Sequence, residues 1–379
     1  MAARRAGAAP PAPIDFSTFD ALPVKPTVPP MLAKRASAMP DGNQWSFEPK
    51  WDGFRAIVFS CDGALFIQSR DEKPLDRYFP ELAAQLKAAL PGRCVIDGEI
   101  VIAGDKGLDF EALQHRLHPA ASRVAKLADA MPSSFVAFDM LADGDDDLRV
   151  VPFAGRRARL VKRFASVAPP LFVTPATGDR AVASDWFHRF EGAGLDGIVA
   201  KNKTSPYEPG QRVMIKVKHE RTCEAVVAGF RWHKSGNDEK VGSLLLGLFD
   251  GAGVLHQIGV TATFTDAKRR ELKETLAPYR HDALAGHPWK EWAEGMAAAA
   301  AEGARKPGGQ SRWNAGKDLS WEPIRPELVV EVGYDHLQGT RFRHTAQFKC
   351  FRTDKKPSEC TYDQLEVTPP QELQQIFGT

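Results

Sequence analysis

Apolar and polar positions follow two different rhythms along this chain, and the rhythm changes near residue 220. Apolar and β-branched residues flank Cys61-Asp62-Gly63, which predicts a β-hairpin over residues 55–60 and 64–69. Residues 79–90 place apolar side chains at helical spacing and stop at Pro91-Gly92, the signature of a helix and its end. Short apolar runs over 94–103 and 134–141 read as buried strands, 183–192 as a helix and 197–201 as a strand. Beyond Lys218-His219-Glu220 the pattern turns to antiparallel strands over 224–230, 242–249 and 255–260. A helix over 265–276 follows, then strands near 328–334 and 344–352. Short strands with one helix fit a small barrel of the OB type, and by pattern alone a sandwich fits too. Residues 296–301 read as Ala-rich helix and 305–318 as a long surface loop.

The class is therefore α+β in two parts: a disordered tail over 1–28, a first domain over 29–220 and a second over 221–379. At 379 residues, each domain can bury a core of its own. Lys and Arg number 50 against 48 Asp and Glu, so binding to a polyanion requires local clusters of cations. Five cysteines at no metal-binding or paired spacing argue against a disulfide scaffold or zinc site and for reduced thiols in a cytoplasmic setting. Residues 1–13 lack the apolar core of a secretory signal, and no apolar run reaches the ~18 residues of a membrane span. The partners expected thus include no membrane. His115, His118, His233 and His344 form no set with metal-ligand spacing and read as structural or surface residues.

The sharpest chemical signal is Lys50-Trp51-Asp52-Gly53-Phe54-Arg55. A lysine just before a hairpin can point from fixed backbone into a cleft and act as a nucleophile if its proton leaves easily. Taken alone, the same string is also a surface lysine in a polar turn. Further short motifs follow in order: Ser69-Arg70, Asp97-Gly98-Glu99, Phe138-Asp139, Asp196-Gly197-Ile198-Val199-Ala200-Lys201, Lys216-Val217-Lys218 and Arg352-Thr353-Asp354-Lys355. Together they resemble motifs I, Ia, III, IIIa, IV, V and VI of the covalent nucleotidyltransferases. Within that superfamily they most resemble the ATP-dependent DNA ligases, of the small stand-alone bacterial type, over about residues 31–366.

The resemblance implies a nucleotidyltransferase (adenylation) domain of antiparallel sheets and helices followed by an OB-fold β-barrel. It implies sealing of 3′-OH/5′-phosphate nicks in duplex DNA, in repair, with ATP and Mg²⁺ or Mn²⁺. Lys50 then carries AMP through a P–N bond. Arg55 and Glu99 fix the ribose, Phe138 stacks on adenine, and Glu48 meets its amino group. Lys216 and Lys218 alternate on a strand, so both face one side and grip the α-phosphate. Asp196 binds the metal, although the family usually has Glu there. Arg70 receives the nick 5′-phosphate, with Glu72 where Gly is common. Asp354 and Lys355 act on ATP after a domain closure hinged near residues 218–221, and Arg352 either joins them or braces its own domain. A monomer associated with the nucleoid is expected. The alternatives are an RNA ligase, a GTP-using capping enzyme, a nick-binding scaffold without turnover, and an oligonucleotide-binding module.

Overall fold

The computed structural model describes residues 15–365, apart from 91, 105–106, 236–237, 292–319 and 336. The readings over 296–301 and 305–318 lie outside the described residues. The chain parts into two compact units at Lys218–His219, each with its own core.

The first unit holds two sheets. The larger has strand order Leu171–Val173, Ser134–Asp143, Cys94–Val101, Phe54–Cys61, Ala64–Ser69, with Asp146–Asp147 beside Ser134–Asp143. Its pairings are antiparallel except that of Leu171–Val173, which is parallel to Ser134–Asp143. The strand Phe54–Cys61 shows why the apolar runs are nearly continuous. Ala56 and Val58 face one core, and Ile57, Phe59 and Cys61 face another. Successive side chains on a strand point to opposite faces, so a sheet covered on both sides needs apolar residues at every position.

The first face is covered by helices, including Pro80–Ala89 with Leu82 and Leu86 buried one turn apart. The second is covered in part by the N-terminal segment. Phe19, Leu22, Val24 and Val28 are buried there, and Phe16 packs edge-on against Phe66 with ring centroids 5.0 Å apart. This corrects the expectation of a disordered tail for residues 15–28, whose Phe19, Leu22, Val24 and Val28 are buried in the core. The Pro-rich composition hid five apolar residues that need no regular element to pack.

The smaller sheet runs Leu32–Ala36, Arg212–Lys218, Gly197–Asn202, Trp45–Pro49, with the first pair parallel and the others antiparallel. Its middle strands carry Lys216, Lys218 and the end of the Asp196 segment, and Trp45–Pro49 leads directly into Lys50.

In the second unit, five antiparallel strands run in the order Leu255–Thr261, Val241–Phe249, Arg221–Trp232, Glu322–Tyr334, Gln347–Phe351. The sheet curls until its two edges meet at one parallel bridge, Thr261 with Ala346, where Ala346 N–H donates to Val260 O at 2.9 Å. Helix Asp266–Leu276, capped by Thr265, packs Leu272 and Leu276 into the core. A five-stranded, partly open barrel is the OB arrangement, and a sandwich of two stacked sheets is not formed.

Candidate active site

The turn after Trp45–Pro49 is stapled to the Asp196 segment. Lys50 N–H donates to Gly197 O at 2.8 Å, and Asp196 N–H donates to Lys50 O at 2.9 Å. Two glycines let these segments lie close against their neighbouring strands. A Cβ on Gly53 would lie 2.1 Å from Ile100 O, and one on Gly197, whose φ is +135°, would lie 2.0 Å from Val217 O. With the backbones in contact, the short Asp196 side chain reaches both motif lysines. Its Oδ2 lies 2.6 Å from Lys50 Nζ and 2.8 Å from Lys218 Nζ.

Burial alone lowers a lysine's pKa, but around Lys50 the carboxylates of Asp196, Asp52 and Glu99 outweigh it and hold the amine as an ammonium. Lys216 goes the other way. Burial, then the charges of Lys218, Lys50 and Arg70, pull its pKa down. Burial pushes the Glu99 carboxyl up to about 7, against the opposing pull of Arg55 and Lys50.

Glu48, Lys50, Arg55, Arg70, Glu99, Phe138, Lys201 and Lys216 share the lining of one open cleft of about 840 Å³. Arg55 sits across from Glu99 in the strand register, yet its guanidinium forks onto the diagonal neighbour Asp97, with both bonds at 2.6 Å. Asp97 also accepts from Tyr207 Oη at 2.6 Å, and Tyr207 Oη accepts from Met31 N–H at 3.0 Å. Arg55 is therefore fixed before any ligand binds. The Phe138 ring has Arg55 at 4.4 Å and Lys201 Nζ at 4.6 Å from its centroid. Lys201 also donates to Phe138 O and pairs with Glu48 Oε2, both at 2.8 Å. Glu72 is turned to the Thr27 hydroxyl, which donates to its carboxylate.

Asp97, Tyr207 and Lys201 were given no role from sequence. The signal for Asp97 was present: it lies two residues before Glu99 on a strand, hence on the same face. Asp139, quoted beside Phe138, is a brace. It takes a two-pronged bond from buried Arg156, at 2.7 and 3.0 Å, which holds helix Phe153–Arg163 to the sheet.

Arg352, Asp354 and Lys355 belong to the second unit. Arg352 forks onto Asp354 at 2.9 and 2.8 Å and reaches Glu224 at 2.7 Å and Glu331 at 3.2 Å. All four contacts lie within its own unit. Hydrogen bonding from Arg352 holds the Asp354 carboxyl at about 2. Lys355 is exposed.

A buried lysine, a cationic wall and an open cleft fit nucleotidyl transfer, and comparison with known proteins gives the family. Residues 30–218 match the ATP dependent DNA ligase domain, and residues 237–355 match the ATP dependent DNA ligase C terminal region. The chain is 55% identical over 352 residues to DNA ligase C2 of Mycolicibacterium smegmatis, covering 92% of this chain and 97% of that protein. The chain belongs to the ATP-dependent DNA ligases. This ligase is also 54% identical over 351 residues to DNA ligase C of Mycobacterium tuberculosis, covering 91% and 95% of the two chains. Its fold matches that of a Lig E DNA ligase structure with a TM-score of 0.54 at 21% identity, over 85% of this chain and 98% of that one. Among the described residues, no helix is long and apolar enough to cross a membrane.

Proposed function

We propose that this ligase seals 3′-OH/5′-phosphate nicks in duplex DNA through an AMP carried on Lys50. The observation that carries the reading is that Lys50 and Lys216 line a cleft that also presents Glu48, Arg55, Glu99 and Phe138, with Lys218 joined to Lys50 through Asp196. Lys50 Nζ gives up its proton and attacks the α-phosphorus of ATP. A P–N bond forms as the bond to pyrophosphate breaks. Lys216 and Lys218 offset the negative charge that gathers on the α-phosphate oxygens. The nick 5′-phosphate, held by Arg70, then takes AMP from Lys50, and attack by the 3′-OH releases AMP as the backbone closes.

Lys50 is held as an ammonium by Asp196, so the attacking form arises only when that carboxylate is engaged elsewhere. A divalent cation suits it. Asp196 offers hard oxygen, and Mg²⁺ or Mn²⁺ is typically held by one or two carboxylates with phosphate and water completing the shell. When bound, the ion supplies charge neutralisation at the phosphates. Asp354 and Lys355 join the nucleotide through closure about residues 218–221. A role in DNA repair, as a monomer at the nucleoid, completes the proposal.

The test incubates wild type and Lys50→Ala with ATP labelled at the α-phosphate and Mg²⁺ or Mn²⁺, then adds nicked duplex. Label on wild type alone, lost as the nick closes, is the expected result. Label that transfers only to RNA, or no label on either protein, contradicts it.

A further inference from the structure

Glu48 is 2% exposed and lines the cleft, yet only one of its carboxylate oxygens is satisfied. Oε2 pairs with Lys201, while buried Oε1 has no hydrogen-bond partner. Arg157 Nη1 stands 4.0 Å from Oε1, and that nitrogen also lacks a hydrogen-bond partner. Buried polar atoms are rarely left this way in a native fold, and a ligand that supplies the missing donor is one explanation. Arg157 stands on helix Phe153–Arg163, outside the cleft lining and outside every motif quoted above. Its Nη2 donates to Thr174 O, and Thr174 Oγ1 accepts from Trp51 Nε1 at 2.8 Å. One guanidinium thus stands beside the acidic residue two positions before Lys50 and is tied, through Thr174, to the tryptophan just after it.

We infer that Arg157 is the positioning residue for nucleobase choice: it holds Glu48 so that Oε1 meets the cleft as a pure acceptor, taking the amino group of adenine and rejecting the 6-oxo group of guanine. The inference rests on the cleft being the nucleotide site. An ionised carboxylate cannot donate a hydrogen bond, whereas a protonated one can. The charges facing Glu48 are Lys201 from strand Gly197–Asn202, Arg157 from its helix and Asp139 from strand Ser134–Asp143. Burial raises the Glu48 pKa most strongly and Asp139 adds to it, while Lys201 and Arg157 oppose both. Loss of Arg157 removes one opposing cation. Glu48 then protonates more readily as pH falls, and guanine O6 gains a donor.

The experiment compares lysyl-nucleotide labelling by ATP and by GTP, on either side of neutral pH, for wild type, Arg157→Met, Arg157→Lys and Glu48→Gln. Arg157→Met is expected to lower the ATP:GTP preference about tenfold or more, since a mispaired polar contact is what enforces such discrimination. The loss grows as pH falls. Arg157→Lys restores a cation beside Glu48 and suppresses the acid-dependent GTP use, a recovery that a purely structural role does not predict. Glu48→Gln, whose amide can donate at any pH, accepts GTP without pH dependence. An ATP:GTP ratio unchanged from wild type in Arg157→Met, with both nucleotides slowed alike, overturns the inference. So does an unchanged ratio in Glu48→Gln, which also decides the matter if Arg157→Met fails to fold. Absence of label from wild type with any nucleotide overturns the proposed function along with it, and is distinguishable on that ground.

Discussion

Glu99 should cost this protein stability in exchange for function, and the structure gives the size of the exchange. The side chain sits across the strand register from Arg55 and near Lys50, yet burial lifts its carboxyl from the ordinary 4.5 to about 7. Between those two values the folded protein holds a proton that the unfolded chain has released. By linkage, stability therefore falls as pH rises through that window and stays low above it. A shift of this size corresponds to roughly 3 kcal/mol once Glu99 is fully ionised. Glutamine has nearly the same shape without the charge, so Glu99→Gln should be more stable than wild type at pH well above 7 by an amount approaching that figure. Below pH 4.5 both proteins present a neutral side chain, and the gap should close.

Urea unfolding of the two proteins across this range measures the gap directly, with the transition of the first unit followed separately because two units need not unfold together. The same variant should label poorly with AMP, since the ribose loses a charged acceptor. A Glu99→Gln protein that is less stable at alkaline pH refutes the reasoning, because Arg55 and Lys50 would then outweigh burial. A gap that ignores pH refutes it as well, because its origin would not be the ionisation of Glu99.

Other perturbations have equally definite directions. Gly53→Ala places a Cβ 2.1 Å from Ile100 O; moving the Lys50 turn by about 1 Å should slow AMP labelling on the order of a hundredfold. Arg156→Met leaves Asp139 buried without its partner and should cost about 3–5 kcal/mol in urea unfolding. Arg352→Met strips the cation from Glu224, Glu331 and Asp354 and should lower the thermal midpoint of the second unit. The Asp354 part of that loss should vanish as pH falls from the ordinary 3.8 toward about 2, where the wild-type pair is itself lost. Nick sealing should weaken steeply with added salt while AMP labelling of free enzyme changes little, because only the former depends on contacts to the DNA backbone.

The hairpin over 55–69, the helix from Pro80 and the strands of the second unit were legible because each is bounded by turn chemistry and buries a periodic face. The segment over 15–28 was not, since its apolar residues pack without a period and prolines mask them. Helix Phe153–Arg163 was missed for a related reason. Four of its eleven residues are arginine, and one of them, Arg156, is fully buried by ion pairing, so its inward face does not read as apolar.

The candidate site divides along the same line. A motif names the residue types a reaction needs, and so Lys50, Glu99, Lys216 and Lys218 could be read from the chain. Which acid answers which base depends on the register of strands far apart in sequence. Arg55 was assigned to the ribose beside Glu99, yet its guanidinium is spoken for by Asp97, one diagonal step away. Asp196, the expected metal ligand, places its carboxylate between the Nζ atoms of Lys50 and Lys218. Those acids hold Lys50 and Arg55 in place. On the proposed reading, an incoming triphosphate with its divalent ion competes for the same partners, and that competition is what frees Lys50 to react.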